Sequence, residues 1–310
     1  MAFILIASIF LTLILGLFTI PLLKRLILDY PNIRSSHKSA KPTSGGIIFI
    51  IPICLLSILC KDYSPLYCLP LALVGLIDDR FNLNSIFRYS TQILTVSLLF
   101  LKSNQSISFF SVNSGFLNIL ILLFIGTAII NFINFMDGLD GIVAGTMFVT
   151  FFMLYVKNND ITCIIAASSL LSFLIFNWSP AKVFMGDVGS TFIAALFISK
   201  LINIDDLSNI YISTIPLCPF WFDCIICLIR RLLAGQNIFK AHKFHLYQRL
   251  NQAGWTHSRV SLVYICSTFC LYLISFFNNL LISSLSGLIL LCLGFIIDQK
   301  FAKPFNYKVR

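Results

Sequence analysis

Residues 115–136 read GFLNILILLFIGTAIINFINFM, a stretch without one formal charge, and the chain then turns at once to Asp137-Gly138-Leu139-Asp140. About 20 mostly apolar residues suffice for a helix to cross the hydrocarbon core of a bilayer. Working outward, comparable runs occupy 1–23, 42–60, 63–77, 89–101, 141–156, 161–178, 188–204, 207–229, 260–277 and 280–297. The runs 63–77 and 89–101 are short and must borrow flanking residues. The stretch from Val260 to Ile297 is divided at the polar turn Asn278–Asn279. The first run lacks a basic leader and a small-residue cleavage site, so it is expected to stay as a span rather than be removed. Across the whole chain 58% of residues are hydrophobic and 11% charged, against roughly 25% charged in soluble domains. A soluble core of this length cannot hide so much apolar surface, and disordered chains are poor in apolar residues. The expected fold is therefore all-α: one polytopic membrane domain over residues 1–310, with about eleven transmembrane helices.

Orientation follows from the basic residues. If all eleven runs cross, Lys61, Lys102, Lys157 and Lys200 fall on one side and the other eighteen of the 22 Lys and Arg fall opposite. The positive-inside rule then places the N-terminus outside and the C-terminus in the cytoplasm. The formal net charge of +10 is spread over many short loops. It suits anionic lipid and topology rather than nucleic acid. The ten cysteines lack the paired spacing of a zinc site, and Cys224 and Cys227 read as helix filler inside an apolar run.

All twelve acidic residues are Asp. Asp78, Asp79, Asp137, Asp140 and Asp187 fall at cytoplasmic helix ends, and Asp223 lies a turn or two inside the ninth run. Asp62, Asp160, Asp205 and Asp206 fall outside in what read as solvated turns. Ionisable groups at the edges of apolar spans are costly and commonly functional. Carboxylates clustered at a membrane face suit Mg²⁺, which takes one or two carboxylates together with substrate phosphates; Mn²⁺ is the natural substitute. Lys38, Lys41, Arg80, Lys182, Arg230, Arg231 and Arg249 are then candidate phosphate clamps. The chain has no GxxxxGK[ST] loop, so a P-loop nucleotidase is excluded. Met185-Gly186-Asp187-Val188-Gly189-Ser190 instead sets a carboxylate between glycines at the start of an apolar helix. Metal, clamps and lipid together indicate phosphoryl transfer to a membrane-embedded phosphate carrier.

Three strings occur in order: Gly75-Leu76-Ile77-Asp78-Asp79-Arg80, Asn131-Phe132-Ile133-Asn134-Phe135-Met136-Asp137-Gly138-Leu139-Asp140-Gly141, and Val183-Phe184-Met185-Gly186-Asp187-Val188-Gly189-Ser190. Together they resemble the polyprenyl-phosphate N-acetylhexosamine-1-phosphate transferases. The similarity runs from Arg34-Ser35-Ser36-His37 and Pro42-Thr43-Ser44-Gly45-Gly46 to His245-Leu246-Tyr247-Gln248-Arg249-Leu250. The resemblance implies transfer of a sugar 1-phosphate from a UDP-N-acetylhexosamine to undecaprenyl phosphate, with Mg²⁺ and release of UMP. It also implies a bacterial cytoplasmic membrane location with the site facing the cytoplasm, and it is compatible with a homodimer. By the same resemblance Asp187 is the leading metal ligand with Asn134 beside it. Asp78 and Asp79 sit near the lipid phosphate, one of them as base, and Asp137 and Asp140 hold the nucleotide and diphosphate.

His242-Lys243-Phe244-His245 departs from the three consecutive histidines of the peptidoglycan translocase. It looks more like the enzymes that start O-antigen and other surface polysaccharides. His242 and His245, with Lys41, Arg249 and Asp223, are expected to contact phosphate or sugar, with Asp223 alternatively a buried partner for Arg230 or Arg231. His257 is expected to be a solvated surface imidazole. The muramoyl-pentapeptide reaction is the alternative within the family. An ion-coupled transporter is the alternative outside it, disfavoured because the acids gather at one face and no internal repeat is visible.

Overall fold

A computed structural model describes residues 2–31, 39–103, 115–204, 206–238, 240 and 242–305. Among these residues the chain is helical apart from one two-residue ladder that pairs Leu28 with Pro42 and Asp29 with Lys41 in antiparallel register. The helices are α1 (Ala2–Leu26), α2 (Ile47–Leu59), α3 (Ser64–Tyr67), α4 (Leu69–Phe81), α5 (Ser85–Lys102), α6 (Gly115–Phe135) and α7 (Ile142–Asn158), followed by α8 (Ile161–Asn177), α9 (Gly186–Ile202), α10 (Leu207–Thr214), α11 (Cys218–Leu233), α12 (Leu246–Gln252), α13 (His257–Ser275) and α14 (Leu280–Phe301). The string Arg34–His37, with Lys38, and Asp205 lie outside the described residues.

Each apolar run coincides with a helical body, with local differences. The run 63–77 divides into α3 and α4, whose first turns each carry a proline where the missing N–H costs nothing. The run 207–229 breaks at a 3₁₀ turn containing Pro216, between α10 and α11. The turn at Asn278–Asn279 forms as read: Asn279 accepts the N–H of Ile282 at 3.0 Å and caps α14. By length and composition five helical stretches can cross a membrane: Ala2–Leu26, Gly115–Phe135, Leu207–Leu233, His257–Ser275 and Leu280–Phe301. Ile47–Leu59, Ile142–Asn158 and Ile161–Asn177 are shorter apolar helices. Large apolar side chains such as Phe10, Phe18, Phe124, Leu281 and Ile289 stand exposed on the long helices. Such surfaces suit lipid contact.

The most enclosed helix is α9, in which every residue from Val188 to Ile202 is buried. It packs against α2, α4, α5 and α6. The α4 contact is close enough to require a glycine, since a Cβ on Gly75 would lie 2.6 Å from the backbone nitrogen of Val188. At the far end of α9, Lys200 is buried and donates to Asp62 at 2.6 Å, with Asp160 at 3.0 Å. Asp62 and Asp160 are therefore not the plain solvated turns expected of them; a buried ammonium needs paired carboxylates. Asp160 also caps α8 through the N–H groups of Thr162 and Cys163. The same two loops thus close one end of the bundle, and the first turn of α9 opens at the other.

Candidate active site

The opposite end holds a cavity of about 750 Å³. Asp78 and Asp79 reach it from the last turn of α4, Asn134 from the end of α6, Asp137 and Asp140 from the α6–α7 connection, and Asp187 from the first turn of α9. Arg80, Arg88, Asn177, Gln248 and His257 also line it.

Local bonding shows why these segments meet. Asp79 accepts the Asp187 N–H at 2.9 Å through Oδ1 and the Ser44 hydroxyl at 2.7 Å through Oδ2. One carboxylate thereby caps α9 and fixes the Pro42–Gly46 string, whose Gly45 and Gly46 N–H groups donate to Phe184 and Met185 carbonyls at 2.8 and 2.9 Å. Gly186 has φ +73°, and a Cβ there would overlap Asp79 Oδ2. Only glycine suits both conditions. Asp78 accepts the Leu83 N–H at 2.6 Å and an Arg88 guanidinium nitrogen at 3.2 Å; the same nitrogen lies 3.8 Å from Asp187 Oδ2. Asn134 accepts the Ser190 hydroxyl at 2.5 Å. Asn177 joins the two connections, accepting from Gly141 N–H at 3.1 Å and donating to the Val183 carbonyl at 3.0 Å.

The α6–α7 connection holds two carboxyls of opposite character. Burial, then the charges of Asp79 and Asp140, push the Asp137 carboxyl up to about 7, against the opposing Gly186 N–H. Burial would also raise Asp140, but a hydrogen bond from His257, the Ala181 N–H and the charges of His257 and Lys41 hold it below the usual range. His257 Nδ1 lies 3.3 Å from Asp140 Oδ1 and 3.4 Å from its backbone nitrogen. The expectation of a solvated surface imidazole is corrected: His257, the first residue of α13, belongs to the cavity wall, and its side chain is 17% exposed.

Other expected site residues are placed elsewhere. Lys41 lies over the Phe184 ring at 5.4 Å and reaches Asp140 by charge only. Asp223 is buried and caps α12, accepting the N–H groups of Leu246 and Tyr247 at 2.6 and 3.1 Å and the Tyr264 hydroxyl at 2.7 Å. His245 Nδ1 sits 3.3 Å from the same carboxylate. Arg249 donates to the carbonyls of Phe244 and Lys303 at 3.1 and 2.9 Å and pairs with Asp298. Arg230 pairs with Asp298 at 2.5 Å, and Arg231 is bound by the carbonyls of Ile238, Asn237 and Lys240. His242 stacks on Phe244 with ring centres 5.8 Å apart. None of Asp223, His242, His245, Arg249 or the two arginines lines the cavity. Asp223, His245 and Arg249 instead hold α12, the helix that delivers Gln248 to it and whose Tyr247 hydroxyl donates to Phe135 carbonyl at 2.9 Å. Arg88, Gln248, Asn177 and Ser44 are wall or bracing residues that motif reading passed over.

A family model described as Glycosyl transferase family 4 matches residues 65–205, which contain Asp78, Asp79, Asn134, Asp137, Asp140, Asn177 and Asp187 of the cavity. The chain is 30% identical to a phospho-N-acetylmuramoyl-pentapeptide-transferase of Staphylococcus saprophyticus, over 84% of this chain and 93% of that protein. It is 27% identical to a probable undecaprenyl-phosphate N-acetylglucosaminyl 1-phosphate transferase of Bacillus subtilis, over 87% of this chain and 80% of the relative. With an undecaprenyl-phosphate alpha-N-acetylglucosaminyl 1-phosphate transferase of Yersinia pestis it shares 28% identity over 77% and 73%. Three ordered motifs converging on one polar cavity, and relatives matched over most of their length, make the chain a member of the polyprenyl-phosphate hexosamine-1-phosphate transferase family.

Proposed function

We propose that this membrane transferase moves an N-acetylhexosamine 1-phosphate from a UDP-sugar to undecaprenyl phosphate at the cytoplasmic face of a bacterial inner membrane. The observation that carries the reading is the convergence of Asp78, Asp79, Asp137, Asp140, Asp187 and Asn134 from three separated segments on one cavity at a helix-bundle end. An acceptor phosphate oxygen attacks the β-phosphorus of the donor. The new P–O bond forms as the bond to the bridging diphosphate oxygen breaks, and UMP departs with that electron pair.

The donor set fits a hard divalent cation. Carboxylates outnumber the cavity's cationic side chains Arg80 and Arg88, and the charges of Asp79 and Asp140 add to burial in raising Asp137. Asp187 and Asn134 would hold Mg²⁺, or Mn²⁺, which when bound neutralises the diphosphate and the departing phosphate. The chain's own residues do the remaining work. Asp79 fixes the α9 N-terminus, so that Asp187 presents its carboxylate where helix N–H groups also favour anions. Asp78 holds Arg88 toward Asp187, where the guanidinium can take a phosphate. Asp79 is taken up with the Asp187 N–H and the Ser44 hydroxyl, which leaves Asp78 as the member of the Asp78–Asp79 pair suited to accept the acceptor's last proton. Asp137 and Asp140, in the α6–α7 connection, face the nucleotide.

The His242–His245 string supports a surface-polysaccharide role. The relatives include both N-acetylglucosaminyl and muramoyl-pentapeptide transferases, so the latter donor is the second reading. Purified protein incubated with undecaprenyl phosphate and radiolabelled UDP-N-acetylglucosamine, a 6-deoxy analogue and UDP-N-acetylmuramoyl-pentapeptide decides between them. Transfer from none of the three would sink the enzyme reading. For topology we propose eleven spans with the N-terminus outside. Reporter fusions after residues 34 and 240 should read cytoplasmic and one after 160 external.

A further inference from the structure

Outside the carboxylate cavity, α11 and the connection after it bring together Cys227, His242 and His245. One ligand atom from each lies within 4.8 Å of the other two. The Cys227 Sγ is 4.0 Å from His242 Nδ1, and the two imidazole centres are 5.0 Å apart. Cys227 and His245 are buried, and His242 is partly so.

We propose that Cys227, His242 and His245 form a second cation site, one for a borderline-soft divalent ion of the Zn²⁺ type. Thiolate and imidazole select such ions, whereas carboxylates and water suit Mg²⁺. The 4.0 Å sulfur–nitrogen separation is about 0.4 Å wider than bonds of ~2.3 and ~2.05 Å give around a tetrahedral zinc. A small ring rotation closes that gap. His242 Nδ1 accepts the Phe244 N–H at 3.3 Å, so this nitrogen carries a lone pair, which would turn from that donor to the ion. Asp223 stands behind His245 Nδ1 at 3.3 Å, the carboxylate–histidine arrangement that orients a metal-binding ring and leaves its other nitrogen to the ion. Charge also balances: binding converts the Cys227 thiol to a thiolate and releases its proton, so thiolate and Asp223 together offset the dication. The site would pin the α11–α12 connection to α11 and so steady the helix that carries Gln248 to the cavity. Three protein donors leave the fourth position to water.

The test uses the full chain in detergent with Mg²⁺ in excess to occupy the carboxylates. Wild type should retain one Zn²⁺ per chain, measured by elemental analysis after gel filtration. Loaded with Co²⁺ instead, it should show a thiolate-to-cobalt charge-transfer absorption. Cys227→Ser should abolish that absorption and weaken Zn²⁺ by more than the ~10–100-fold that loss of an outer-shell partner costs. His242→Asn, a change at a partly exposed ring, should weaken Zn²⁺ similarly and serves where Cys227→Ser fails to fold. Absence of the absorption from wild type, or equal Zn²⁺ binding by wild type and His242→Asn, would overturn the assignment.

Discussion

The carboxylate of Asp79 accepts the backbone N–H of Asp187 at 2.9 Å, although the two residues lie on different helices and 108 positions apart. Two residues assigned together to the chemistry thus have different duties: Asp79 aims the turn, and Asp187 presents a charge from it. Substitution should separate these. Asp187→Asn keeps size and fold and should lower transfer by about 10²–10³, the scale for losing a transition-state electrostatic contact, with an unchanged melting temperature. Asp79→Asn leaves one carbonyl oxygen for two donors and should lower activity and melting temperature together. Equal melting temperatures for both variants would remove the bracing role.

Much of this division was invisible in the strings themselves. The runs, the Asn278–Asn279 turn and the acids at helix ends were legible because charge-free length and period are local properties. The partners of Asp223 were not, since two are backbone N–H groups of α12 and the Tyr264 hydroxyl comes from a helix distant in sequence, which no side-chain pattern reports. His242 and His245 share a basic loop with Arg230 and Arg231, and nearness in sequence suggested a common anion. Folding instead spends the arginines on Asp298 and carbonyls and turns both rings toward Asp223 and Cys227.

Metal binding should be pH-dependent near neutrality. With its carboxyl pushed up to about 7, Asp137 is largely protonated at pH 6 and largely ionised at pH 8 in the metal-free cavity. A dication entering the cavity favours the ionised form, so binding expels the proton. Mg²⁺ affinity should therefore fall as pH drops through 7. Calorimetry in two buffers of different ionisation enthalpy should detect proton release at pH 6.5, and Asp137→Asn should abolish it. Buffer-independent heats in wild type would show that Asp137 does not sense the ion.

At the other end, Asp62→Asn should destabilise the protein by about 1.5–3 kcal/mol, the scale of a charged hydrogen bond lost from a buried donor. Lys200→Met, which removes the buried charge itself, should cost less, since the Asp62 and Asp160 carboxylates it leaves are 28% and 31% exposed and can be hydrated. Burial opposes it, yet the Lys200 charge and the hydrogen bonds from Lys200, Thr162 and Ser64 hold the Asp62 carboxyl down at about 2. Its contribution is thus present above about pH 4, the unfolded carboxyl's range, and is lost as pH falls toward 2. Melting temperatures of the two variants between pH 3 and 7 check both statements.

His257 gives the sharpest test of the cavity wall, because its neighbour is a proposed nucleotide contact. Asp140 Oδ2 keeps the Ala181 N–H at 3.1 Å whatever happens to the imidazole. Its Oδ1 is buried and faces His257 Nδ1 at 3.3 Å. His257→Ala should remove the ion-pair partner of that oxygen and the acceptor of the Asp140 N–H, at a cost of about 1–3 kcal/mol for buried polar groups left without compensation. The carboxyl's proton affinity should rise accordingly, because the hydrogen bond and charge that lower it are gone. If Asp140 contacts the nucleotide, the loss appears in the donor's KM and in UDP affinity, roughly tenfold for each 1.4 kcal/mol, with kcat nearly unchanged. His257→Gln returns a hydrogen-bonding group and should recover part of the affinity. Unaltered UDP binding in His257→Ala, measured by calorimetry on the purified protein, would separate Asp140 from the nucleotide and leave the His257 contact as a brace between α13 and the α6–α7 connection.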